Sequence, residues 1–407
     1  MELRTYLVSA FSAALVYPLY QVFLPLLAST LGAGAFEVGL IGGASNIVYS
    51  FMPFVLGKFT YRKRIRQFFI VFSSSMLVVI SLSYTAVGSP TVLFGIRLVE
   101  GLAWALLVPS IEGGIASHKS PEASSLGILN FLIGGASAIG PFLGAYIIAS
   151  VSIRAAFLMT TFVLIATLGA NLIPVLKERS GYRIPGLADA ESFRRRQADV
   201  VKEHASDQSN NSLRAEETRK MKVFFAIPTA LCGSIPAVIL TFYPPYATLN
   251  GVSIILVGAA ALGYGAARFF TYTVLTRKNI RRRLLRAEAR SRNLLASFAL
   301  MCVPCAVPFF VLDRSGAIYI GLFAIVGVGY SICLTINQAA LIGEAPIRDT
   351  GTAAGLFESS IGTGGVLAPV LAGLVSSYLN SLVVSFIVPF AVLFVMVALI
   401  GTKKDLS

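Results

Sequence analysis

Five ionisable side chains stand inside stretches of this chain that are otherwise strongly apolar: Arg97, Glu100, Glu112, Arg268 and Glu358. A charge in hydrocarbon is costly and persists where it meets a partner or faces a wet path, so each marks a candidate site. Arg97 and Glu100 are three residues apart, which on a helix places them on one face, able to neutralise each other. Two chemistries are open to that pair. Glu100 can load and release a proton beside Arg97, or the two can form a permanent pair that anchors their helix. Glu358 can bind a cationic group or carry a proton, and Arg268 is its candidate counter-charge. Glu112, near the end of its apolar run, reads as a local gate or an interfacial residue.

Polar aromatics accompany these charges. Tyr17, Tyr20 and Gln21 fall in the first apolar run, and Tyr243 and Tyr246 flank Pro244-Pro245 in the seventh. Ring faces and hydroxyls there could cradle an amphiphilic or cationic organic solute by stacking and cation–π contact. A tyrosine near the end of a run can equally be an interfacial belt residue, the reading given to Tyr246. Trp104, the single tryptophan, is either pocket wall or packing. The chemistry of covalent catalysis is missing. Cys302 and Cys305 form a C-x-x-C inside an apolar run, and His118 and His204 have no metal-like partner set. No phosphate-cradling loop occurs. An enzyme, a metal site and a bound cofactor are therefore not expected.

The elements that must position these residues follow from composition. Of 407 residues, 56% are hydrophobic and 13% charged, with a mean hydropathy of +0.78, outside the range of soluble globular domains. Runs long enough to cross roughly 30 Å of hydrocarbon recur twelve times. They fall near 6–29, 36–57, 68–87, 91–115, 123–149, 154–176, 223–246, 252–275, 293–312, 316–342, 352–376 and 380–401. The first follows only Met1-Glu2-Leu3-Arg4 without a small-residue cleavage site and is read as a retained helix. The expected fold is an all-α integral membrane protein of twelve transmembrane helices in two six-helix, pseudo-symmetric bundles. The N-terminal half is residues 1–176, a central loop 177–222, and the C-terminal half 223–407. That loop mixes Arg194-Arg195-Arg196 with Glu191, Asp199 and Glu203 and lacks a bulky apolar stripe, so disorder or a helix lying on the membrane surface is expected.

Basic residues are distributed unevenly. They cluster after helix 2 (Arg62, Lys63, Arg64, Arg66), between helices 6 and 7, and after helix 8 between Arg277 and Arg292, while the opposite connections carry only Arg154 and Arg314. The positive-inside rule puts both termini and the central loop in the cytoplasm of a multi-pass cell-membrane protein. The net charge of +14 is this bias summed. It suits anionic lipid headgroups, and no nucleic-acid partner is implied.

A duplication is written into helices 5 and 11. Gly127, Ala136, Gly140-Pro141 and Gly144-Ala145 recur as Gly355, Gly364, Ala368-Pro369 and Ala372-Gly373 at a constant offset of 228 (127 to 355). Small residues at such spacing let neighbouring backbones approach, and the proline bends the helix. The offset also aligns Glu358 with Asn130, which suggests that both point into one central cavity. Parallel halves with the working site between them are the plan of secondary transporters. A tight structural helix pair without transport bias would leave the same spacing.

These residues resemble the major facilitator superfamily over nearly the whole chain. Leu93, Arg97, Glu100-Gly101 and Ala103 are similar to the family's helix-4 pattern, with Glu100 where Gln is usual. The helix-5 pattern resembles the so-called antiporter motif, with Ala136 and Ala145 at positions that are often Gly. After helix 2, Gly57 and Arg62-Lys63-Arg64 match the family loop, but Tyr61 stands where an Asp belongs, which removes the carboxylate of the family's charge-based latch. The resemblance implies that helix 5 packs on helix 8, and helix 11 on helix 2. It implies a monomeric, proton-coupled secondary transporter exporting a small organic solute. A symporter importing a sugar, organic acid or other metabolite fits the same residues. A sensor that transports nothing would need a folded soluble domain, which 177–222 is too short to supply.

Overall fold

The computed structural model describes residues 3–57, 59, 63–116, 125–180, 208–310, 316–343 and 350–401, and these are helical almost throughout. Hydrocarbon offers no hydrogen bonds to the backbone, so each apolar run closes its own as a helix. Twelve helices have the length and composition to span a bilayer: α1 (Thr5–Thr30), α2 (Ala35–Gly57), α3 (Arg64–Tyr84), α4 (Pro90–Ile115), α5 (Leu129–Ser150), α6 (Ile153–Ile173), α7 (Phe225–Leu249), α8 (Ile254–Leu275), α9 (Ala289–Phe310), α10 (Ile318–Ile342), α11 (Gly351–Tyr378) and α12 (Leu382–Ile400). They coincide with the twelve runs within a few residues.

Three helices depart from regularity. A break at Ser50-Phe51 interrupts α2 just before Pro53, which lacks the N–H that would close the helical turn there. The last turn of α10 widens to a π-helix over Ala339–Gly343. The first turns of α12 are tightened to 3₁₀ over Leu382–Ile387. Residues 181–207 of the expected central loop lie outside the described residues. Its last part is helical, because the helix that becomes α7 begins at Gln208 and runs 42 residues to Leu249. The outer surface carries exposed Phe68, Phe162, Phe270 and Phe394, as a lipid-facing wall requires.

The two halves, α1–α6 and α7–α12, meet along two seams, α5 on α8 and α2 on α11. Both are the pairings that the resemblance implies. Glycine makes them close. A Cβ at Gly134 would lie 2.8 Å from the Phe269 backbone nitrogen, and one at Gly265 would collide with the backbone of Ala138. In the equivalent seam a Cβ at Gly39 would strike the Pro369 carbonyl, and one at Gly373 would lie 2.8 Å from the Ala35 carbonyl.

The repeated pattern does not serve those seams alone. Gly140 abuts the Leu15 carbonyl of α1, and a Cβ at Gly144 would come within 2.8 Å of Leu19 and Phe23, also on α1. Gly364 abuts the Ala230 carbonyl of α7, the corresponding first helix of the second half. One face of each repeated helix therefore binds its own half together. A second face, with Ala138, Pro141 and Ala145 in α5 and Gly355, Pro369 and Gly373 in α11, meets the other half. Ala136, like Ala145, is fully buried. The surroundings of Gly127 lie outside the described residues.

Candidate functional site

Between the halves lies a cavity of about 180 Å³, displaced toward the face of the bundle that carries the N-terminus. Its walls come from the first half of α1 (Ala10 to Pro18), the second half of α4 (Trp104 to Glu112) and the start of α5 (Leu129 to Ile133). The C-terminal half contributes Arg268, the stretch of α10 from Tyr330 to Gln338, and Phe357, Glu358 and Ile361 of α11. Most of this lining is aliphatic or aromatic. The polar groups are few, and they converge from both halves, the usual form of a small-molecule site.

Two of the hydrogen bonds that bridge the halves join residues of the cavity wall. The Tyr49 hydroxyl of α2 donates to Glu358 Oε2 at 2.5 Å, and Asn130 Nδ2 of α5 donates to Gln338 Oε1 of α10 at 2.8 Å. Asn130 and Glu358, matched by the duplication, thus do share one cavity. Glu112 of α4 meets Glu358 side chain to side chain across the same space, and its Oε2 has no hydrogen-bond partner. Two carboxylates in contact repel, whereas one proton between them turns the contact into a hydrogen bond.

Arg268 is not the counter-charge of Glu358. No ion pair forms between them, and the guanidinium lies over the rings of Tyr330 at 5.0 Å, Tyr264 at 5.4 Å and Tyr272 at 5.9 Å. The one ion pair among the described residues at membrane depth is Arg97–Glu100. Arg97 Nη1 reaches both Glu100 oxygens, at 2.9 and 2.8 Å. Its other nitrogens donate to the Ile41 carbonyl at 3.2 Å, the Gly42 carbonyl at 3.1 Å and Gln21 Oε1 at 3.4 Å. Glu100 further accepts from Trp104 Nε1 at 2.8 Å and from the Tyr84 hydroxyl. Both charged side chains are fully buried and neither lines the cavity.

A family model described as the Major Facilitator Superfamily matches residues 6–290. The chain belongs to the major facilitator superfamily. This superfamily member superposes on solved transporters over their whole length. They include a POT family transporter in complex with a thioalcohol-conjugated peptide (TM-score 0.74, 10% identity, 100% of this chain and 96% of that one). The nucleoside transporter NupG (0.67, 13%, 100% and 99%) and the human organic anion transporter MFSD10 (0.65, 15%, 98% and 98%) align as fully. At such identities the likeness is one of fold. No curated protein matches the chain by sequence.

Within that fold the expected site residues divide. Arg268, Asn130, Trp104 and Glu358 line the cavity, and Tyr17 packs edge-on to Trp104 at 5.3 Å. Tyr20 and Gln21 do not line it. Tyr20 lies against Tyr84 at 5.3 Å with its hydroxyl 3.3 Å from Thr160 Oγ1, and Gln21 serves Arg97. Tyr243 packs between Tyr319 and Phe323, at 4.9 and 4.7 Å, beside a pocket of about 20 Å³ inside the C-terminal half. Tyr246, expected in an interfacial belt, is buried against Phe386. In the loop motif, Gly57 ends α2 against the Gly351 carbonyl and Arg64 is exposed, while Arg62 and the side chain of Lys63 lie outside the described residues. His118 and His204 lie outside them too, and no metal-binding cluster occurs among the described residues.

Glu112, read from the sequence as a local gate or an interfacial residue, is buried in the cavity wall, which sets the interfacial reading aside. A usable signal was present. Trp104, Val108 and Glu112 are spaced by four on α4 and share one face, as do Tyr330, Leu334 and Gln338 on α10.

Proposed function

We propose that this protein is a proton-coupled secondary transporter that moves a small organic solute across the cell membrane by alternating access. The observation that carries this reading is the facing pair Glu112 and Glu358, one from each half, in a mainly apolar cavity. A shared proton ties the halves together at this point. Its loss leaves two buried like charges in contact, and their repulsion favours separation. Protonation is thereby linked to the movement of residues 1–176 against 223–407 about the α5–α8 and α2–α11 seams. Arg97–Glu100, with its donors satisfied, serves instead as an anchor inside the N-terminal half.

The clusters of basic residues support an orientation with both termini and the 177–222 connection in the cytoplasm, beside anionic headgroups. Because one chain supplies the lining of the cavity from both halves, a monomer suffices. The helix-5 pattern supports export of solute against entering protons. Import with a proton is favoured by a different observation: Arg268 and the carboxylate pair are separate, so proton and solute can be held at once.

The test is transport in proteoliposomes under an imposed pH gradient, with a panel of dyes, sugars and organic acids, followed by the fate of Glu358→Gln and Glu112→Gln. Gradient-driven accumulation should disappear in each variant while exchange at equal pH persists. The sign of the effective gradient separates export from import. Full gradient-driven accumulation by both variants would overturn the coupling assignment.

A further inference from the structure

We propose that Arg268 is the recognition site for the anionic group of the transported solute, which makes the substrate a small organic monoanion, a carboxylate or sulfonate on an apolar body. This rests on the reading of the central cavity as the transport site. Arg268 lies in the cavity wall with only 8% of its surface exposed, yet it has no carboxylate partner among the described residues. Its Nε–H has no acceptor at all.

The faces of Tyr264, Tyr272 and Tyr330 stabilise a cation through their quadrupoles, but they cancel none of its charge. Along one edge of the guanidinium Nε–H and a neighbouring Nη–H lie parallel, and the Nε–H there has no acceptor. That fork matches the two oxygens of a carboxylate or sulfonate. The chain neutralises its other deep arginine fully, with a carboxylate and three further acceptors on Arg97. An arginine left incomplete in the wall of a cavity calls for an acceptor from outside.

The rest of the lining narrows the ligand. Arg268 is the only basic residue in the wall among the described residues, so its one fork suits the head of a monoanion. Ala10, Ala13, Leu129, Ile133, Leu334 and Ile361 provide apolar surface, and about 180 Å³ admits a body of roughly benzoate size. Glu112 and Glu358 repel an anion from their own side of the cavity, which orients the ligand with its charge toward α8.

Trp104, the single tryptophan, lines the same cavity and reports occupancy by its fluorescence, with no need for transport. Detergent-purified protein would be titrated with benzoate, hexanoate and benzenesulfonate, and with benzamide, hexanamide and benzylamine as neutral and cationic counterparts. At least one anion should quench Trp104 saturably and raise the melting temperature, its neutral counterpart binding at least about tenfold more weakly. Arg268→Gln should erase that preference, and Arg268→Lys should restore part of it. The wild-type comparison of acid with amide stands even if a variant fails to fold. The proposal is overturned if no anion binds up to about 10 mM, if amide or amine binds as tightly as acid, or if Arg268→Gln melts earlier but binds the anion unchanged. Anion binding that persists without gradient-driven flux would sink the proton-coupled reading and leave this one standing.

Discussion

Gly134 and Gly135 are neighbours on α5 that face the same residue of α8, yet alanine at the two positions should have opposite effects. A Cβ at Gly134 would stand 2.8 Å from the Phe269 nitrogen and 2.9 Å from its Cα, atoms fixed in the backbone of α8. Bringing the closer contact from 2.8 to an ordinary 3.4 Å requires the helices to part by about 0.6 Å. Overpacking of that kind costs about 1–3 kcal/mol. The gain in helix propensity from Gly to Ala, about 1 kcal/mol at most, offsets only part of it. At Gly135 the new methyl would meet only the Phe269 ring, at 3.2 and 3.6 Å, and a ring can tilt away. There the propensity gain should prevail, leaving stability equal or higher. Melting temperatures of the purified variants in one detergent give the ranking, and transport rates show whether widening the seam slows the exchange of states. Equal melting of Gly134→Ala and Gly135→Ala, or a more stable Gly134→Ala, would refute the close approach of α5 and α8.

Three further outcomes are expected. The native cysteines Cys232, Cys302, Cys305 and Cys333 are all buried, so cysteines introduced at Ser209 and, separately, at Ser89 can be labelled cleanly; they should react from opposite sides of the membrane, and labelling of both from outside intact cells would overturn the orientation. Glu100→Gln leaves Arg97 buried without its counter-charge and should cost about 3–5 kcal/mol, seen as a lower melting temperature; a normally stable Glu100→Gln protein that has lost proton coupling would return the coupling role to α4. Gly140→Leu should prevent recovery of a monodisperse protein, because the Leu15 carbonyl blocks the new side chain, whereas Gly144→Ala should fold, since it presses only on the side chains of Leu19 and Phe23; a well-folded Gly140→Leu protein would refute the α1–α5 packing.

The twelve helices and the duplication were legible because both are written in composition and spacing. The direction in which each helix faces was not. Gly140 and Gly144 were visible as small residues, but spacing alone does not tell whether such a stripe meets α1 or α8. The answer depends on the rotation of α5, which is set by contacts more than a hundred residues away in the chain. Arg268 and Glu358 were legible as opposite charges in one half, and their types suggested a pair. The structure instead turns Arg268 toward tyrosines of α8 and α10, and Glu358 toward Tyr49 and Glu112 of the other half. Glu112 lies near the end of its run, and the cavity itself lies toward that end, so nearness to the end did not exclude it from the wall.

The buried charges of this chain sort by whether the protein itself completes them. Arg97–Glu100 is closed. The ion pair, the Ile41 and Gly42 carbonyls, Gln21, Trp104 and Tyr84 leave no site for anything else to bind, and breaking the cluster would only strand a charge. Arg268, Glu112 and Glu358 are open. The guanidinium has ring faces but an idle Nε, and Glu112 Oε2 has no donor. A group left incomplete at such depth costs stability unless something arrives to complete it, so its natural complement is a mobile species. On the readings proposed above, a proton completes the carboxylates and an anion completes Arg268. Trp104 joins the closed cluster to the cavity, with its Nε1 on Glu100 and its ring in the cavity wall. In the proposed mechanism the closed cluster therefore anchors the wall, and the open groups exchange their ligands against it.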